Sequence, residues 1–154
     1  MPAQYWILKS EPDTFSFDSL VHKGPSVWDG VRNYQARNSM RDDMRVGDRV
    51  FFYHSGDSPS IVGTATIIRN AYPDPTSWDP KNPHYDPKSS PDNPRWVMVD
   101  LQFEKQYRKP LSLAELRKVK GLNKMVLLQK GSRLSVQPVT AKEFQIIEAL
   151  AARQ

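Results

Sequence analysis

The sequence predicts an α+β fold in which short α-helices surround a small, mostly antiparallel β-barrel. Three observations carry this expectation. Strand-like segments outnumber helical ones, hairpins or single short helices join most of them, and no glycine-rich strand-to-helix turn of a dinucleotide-binding sheet is present. With 154 residues, the chain fits one domain, residues 1–154, large enough to bury roughly 68–70% of its unfolded surface.

Each element has a local reason. Tyr5-Trp6-Ile7-Leu8-Lys9-Ser10 is aromatic and branched and stops at Glu11-Pro12, so it reads as a first strand ended where proline forbids further pairing. Ser16–Lys23 suits a short capped helix ended by Gly24-Pro25. From Tyr34 to about Arg45 a helix is expected, with Arg37, Arg41 and Arg45 in a row on one face and Met40 and Met44 on another. That row fits either a nucleic-acid backbone or a solvated face neutralised in part by Asp42 and Asp43.

Val46-Gly47-Asp48 turns into a central strand, Arg49–Ser55, and Ile61–Ile68 follows as its hairpin partner, with Gly63 marking a bulge or a close backbone approach. Tyr72–Arg95 holds seven of the thirteen prolines, which disfavours regular structure. Its aromatic content argues against disorder. It reads as an ordered flap, or as an irregular cover over an exposed sheet edge. Trp96–Glu104 alternates as a half-wet strand with a basic continuation to Pro110. Ser112-x-x-Glu115 and Thr140-x-x-Glu143 have capping-box spacing. The first opens a helix ending near Gly121, with a second helical piece over Leu122–Gln129 and a short strand before Val139. The second opens a last amphipathic helix that buries Phe144, Ile147 and Ala151 against the barrel.

Composition bounds the chemistry. The absence of cysteine excludes disulfides and thiolate metal sites. The three histidines lack partners at metal spacing, so no metal is expected. No basic-then-apolar leader and no run of ~20 apolar residues occurs, so a cytoplasmic, membrane-free protein is expected, and a monomer. No nucleophile elbow or phosphate loop is present. Ser10 beside Glu11, or His54 beside Ser55, could be drawn as catalytic pairs, but such neighbours are common in any sequence.

Charge is segregated. Nine basic residues against one acid lie between Lys105 and Arg133, so this stretch alone exceeds the net charge of +5 for the whole chain. One basic face for phosphates is a natural reading, and a solubilising surface is the plain alternative. The other unusual stretch is Trp28-Asp29-Gly30-Val31-Arg32-Asn33-Tyr34-Gln35-Ala36-Arg37-Asn38, poor core material but well suited to contact a flat heterocycle. Trp28, Tyr53 and Trp78 sit near loops or strand ends beside small polar groups, the combination an aromatic cage for an extruded base requires. Arg32-Asn33 and Ser132-Arg133-Leu134-Ser135 could line such a cage; the same aromatics could equally be core.

Tyr5–Pro12, Trp28–Asn38, Phe52-Tyr53-His54-Ser55, Ile61-Val62-Gly63, Pro73-Asp74-Pro75-Thr76 and Gln129–Val139 resemble, in order and over almost the whole chain, the EVE domain family. The resemblance implies a PUA-like fold, related to the YTH domain that reads methylated adenine in RNA. It also implies recognition of modified bases in DNA, chiefly 5-methylcytosine and its oxidised forms, by holding a flipped base in a pocket without catalysis or cofactor. Carried onto this chain, the pocket elements are Lys9, Ser10 and Trp28, then Asn33, Ser55, Trp78, Ser132 and Arg133, to which the residue reading adds Tyr53. Backbone contacts are expected from Arg32, Arg37, Lys105, Arg108, Lys118, Lys120, Lys124 and Lys130. Two alternatives stay open: a module of the same fold reading a modified RNA base, and an enzyme acting on a modified base or nucleoside.

Overall fold

The computed structural model describes residues 3–10, 25–56, 58–129 and 134–153. The expected helix over 16–23 and the turn at 131–133 lie outside the described residues. Six strands form one sheet: β1 (Tyr5–Ser10), β2 (Ser26–Trp28), β3 (Arg49–His54), β4 (Ser60–Pro73), β5 (Val97–Ser112) and β6 (Val136–Val139). Their spatial order is β2-β5-β4-β3-β1-β6. The β1–β3 pair is parallel and the other four pairs are antiparallel, so the mostly antiparallel expectation holds.

The barrel expectation is corrected. Among the described residues no ladder joins β2 to β6, and the sheet stays open. Alternation along these strands feeds two cores. Trp6, Leu8, Val50 and Phe52 point into a cluster with Trp28, Met40 and Met44. Ile7, Phe51 and Tyr53 point into another with Leu116, Phe144 and Ile147. The sheet therefore carries an apolar cluster on each face. Its terminal strands span only three and four residues.

Among the described residues three short α-helices cover it: α1 (Tyr34–Asn38), α2 (Leu113–Arg117) and α3 (Ala141–Ala152). The helix expected to reach Arg45 changes character at Ser39, where α1 runs into a five-residue π-helical turn, Ser39–Asp43. This wider turn breaks the arginine row. Arg41 pairs with Asp42 at 2.8 Å, and Arg45 folds back to donate to the Asp42 and Met44 carbonyls. Met40 and Met44 are nevertheless both fully buried, as the apolar spacing required.

Gly63 does mark a bulge: the register slips at this point against both β3 and β5. The proline-rich flap is ordered, with a 3-10 turn at Pro75–Trp78 capped by Asp74. α3 packs through Phe144, Ile147 and Ala151, as its pattern predicted.

Candidate functional site

The C-terminal ends of β1 and β3 lie side by side because the pair is parallel, with Lys9 opposite Tyr53 and Ser10 opposite His54. Four of the expected pocket residues meet there. Ser55 N donates to Ser10 O at 2.9 Å, and the Lys9 ammonium stands 5.7 Å from the centre of the Tyr53 ring. Lys9 N also donates to Ser135 O at 2.8 Å, which brings the chain entering β6 to the same end of the sheet. Ser132, Arg133 and Lys130 lie outside the described residues.

Burial tunes both ionisable groups. It lowers the Lys9 pKa, and it raises that of the Tyr53 phenol, opposed in part by the positive charge of Arg117. Arg117 is therefore within electrostatic reach of this strand end. Sequence reasoning placed it only in the basic stretch, because nothing local links a residue of α2 to one of β3.

Trp28 approaches from the other face. It is 5% exposed, and its ring stands edge-on to Phe52 at 5.6 Å; Phe52 in turn stands edge-on to His54 at 5.7 Å. Phe52 thus stands between the Trp28 ring and the His54 ring at the strand end. The expected pocket residues straddle the sheet: Tyr53, with the Lys9 ammonium over its ring, belongs to one core and Trp28 to the other. Trp78 closes the 3-10 turn of the flap and is half-buried.

Gly30, Arg32 and Arg37 of the 28–38 stretch hold the flap in place. Gly30 has φ +77°, and a Cβ there would lie 2.7 Å from His84 Cε1, so both backbone conformation and contact demand glycine. Its N–H donates to Asp74 Oδ2 at 2.9 Å. Arg32 spans the same gap, donating to Asp74 Oδ2, Thr76 Oγ1 and the His84 carbonyl. Asn33 caps α1, its Oδ1 accepting from Ala36 N. Arg37 donates to the Arg95 carbonyl at 3.0 Å and lies over the Tyr34 ring, which stacks on Trp96 at 4.8 Å.

Asp74 is a hub that sequence reasoning missed. Asp before Pro and Thr signals a helical cap, but its bond to Gly30 could not be read locally. Lys105, Arg108, Lys118, Lys120 and Lys124 are all exposed, on β5 and on the turns that follow α2. Among the described residues no three His, Asp or Glu side chains gather as a metal site.

The EVE domain model matches residues 4–150. Human thymocyte nuclear protein 1 is 42% identical over 172 residues, covering 99% of this chain and 76% of that protein. A crystal structure of the human THYN1 protein in complex with DNA containing 5-methylcytosine matches with a TM-score of 0.90 at 41% identity, over 99% of each chain. A Pseudomonas syringae protein matches with a TM-score of 0.91 at 46% identity, over 96% of this chain and 99% of its own. The chain belongs to the EVE domain family.

Proposed function

We propose that this protein is a non-catalytic DNA-binding module that recognises a modified cytosine, 5-methylcytosine or an oxidised derivative, by taking the flipped base into a pocket. The observation that carries the reading is the match over 99% of each chain to the human THYN1 protein in complex with 5-methylcytosine-containing DNA. The strand end gives it a chemical basis. Lys9 supplies a cation, Tyr53 an aromatic wall, and Ser10 and Ser55 short hydroxyls able to read a base edge. Only 5% of Trp28 is exposed, so full-face stacking on it requires its surroundings to rearrange.

An added methyl contributes about 1–3 kcal/mol in an apolar pocket, so selectivity should be tens-fold. The test is a titration of duplexes that differ at a single cytosine: plain, 5-methyl and 5-hydroxymethyl, with the matching RNA as a ribose control. Equal affinity for plain and modified duplexes would overturn the proposal, and tighter binding of the RNA would redirect it to a ribose ligand. Trp28→Phe, which keeps an aromatic ring in the core, should reduce the preference while both duplexes still bind. Unchanged selectivity would remove Trp28 from the pocket.

A further inference from the structure

A second concavity, of ≈ 590 Å³, opens between the end of β5, α2 and the last turn of α3. Its floor is aliphatic: Leu111 and Leu116 are buried, and Val119 and Leu150 pack partly buried on the same core. Arg108 and Lys109 stand on one rim and Arg153 on another. The single acid of the lining, Glu115, is engaged at the start of α2, where the Ser112 hydroxyl donates to its carboxylate at 3.2 Å. Among the described residues the ion pairs formed by arginine use Arg32, Arg41 and Arg49, and no carboxylate lies at pairing distance from Arg108 or Arg153.

From this juxtaposition we infer that the groove is a docking site for an acidic protein segment, one that seats an aliphatic or aromatic side chain on the leucine-valine floor while its carboxylates meet the arginines. Charge complementarity selects the occupant. A cationic or neutral segment would leave two guanidiniums facing no anion. A nucleic acid would satisfy the rim, but the floor offers no aromatic ring on which a base could stack. An apolar floor inside a cationic rim has the anatomy of a peptide groove, where a buried anchor gives affinity and the rim gives orientation and rate. The inference uses none of the base-pocket residues Lys9, Ser10, Trp28, Tyr53 or Ser55, and of the residues expected to contact a nucleic-acid backbone it uses Arg108 alone.

The experiment is selection of a displayed library of random 12-residue peptides on the full chain. Fluorescence polarisation of the enriched peptides and methyl NMR of the labelled protein follow. The expected result is enrichment of Asp and Glu around a Leu, Ile or Phe, with methyl shifts at Leu116, Val119 and Leu150. The exposed pair Arg108→Glu/Arg153→Glu, which leaves the core untouched, should weaken binding by at least about tenfold. No enrichment, a basic or neutral consensus, or affinity unmoved by the double reversal would overturn it. So would a DNA duplex that shifts these methyls while the peptides do not.

Discussion

Asp74 is fully buried, yet its two carboxylate oxygens accept from Gly30 N, Thr76 N, the Thr76 hydroxyl and Arg32 Nη1. Burial alone would push its pKa up. The hydrogen bonds from Thr76, Gly30 and Arg32 outweigh that and hold the carboxyl below the ordinary range. The neighbouring Asp29 goes the other way, raised first by burial and then by the charge of Asp74. Linkage gives the two residues opposite signs. Asp74, depressed in the folded state, stabilises above the unfolded value of about 3.9, and that contribution fades as pH falls through its folded pKa. Asp74→Asn should therefore cost about 1–3 kcal/mol at pH 7, where it strands the donors of the flap, and progressively less toward pH 2. Asp29, raised in the folded state, destabilises increasingly as pH climbs from its unfolded to its folded pKa. Asp29→Asn should leave the protein at least as stable as wild type at pH 7, with no gain at pH 3. Urea midpoints at pH 7, 5 and 3 check both, and the same sign for the two variants would refute the network.

Among the elements, the helix caps and the β3–β4 hairpin were readable, and pairings between strands far apart in the chain were not. The capping box of α3 is complete: Thr140 Oγ1 accepts from Glu143 N and Glu143 Oε1 accepts from Thr140 N. Thr140→Ala should cost about 0.5–2 kcal/mol, read as a lower urea midpoint with unchanged slope. The same motif at Ser112 forms only in part. Ser112 Oγ accepts from Glu115 N, but Ser112 also ends β5 opposite Ser60, and Glu115 bonds its hydroxyl instead of its backbone. β2 escaped notice because three residues carry no periodicity, and it becomes a strand only by lying along Leu101, Asp100 and Val99. The open sheet escaped notice for a related reason. Alternating strands are written alike whether their two faces are the inside and outside of a barrel or two separate cores.

For the molecule as a whole, the family-like blocks marked conspicuous residues without telling their tasks apart. Arg32, Asn33 and Arg37 stand within one polar run, yet each has work within the fold: two arginines pin the flap and an asparagine caps α1. Polar residues that organise a site from behind look, in one dimension, like those that touch its ligand. The basic stretch is simpler, since Lys118 and Lys120 are exposed in the turn after α2. Their expected role is generic attraction to phosphates, which displaces counterions and is blind to base identity. Lys118→Glu/Lys120→Glu should therefore weaken methylated and unmethylated duplexes by the same factor and leave their affinity ratio intact. The dependence of log affinity on log salt should flatten by about 0.9 for each phosphate that the variant no longer neutralises. Titrations of both duplexes from 50 to 200 mM salt, a range of about fourfold chosen to expose that slope, decide the matter. An unchanged slope would show that these lysines face solvent in the complex, and a changed ratio would move them from the backbone to the base.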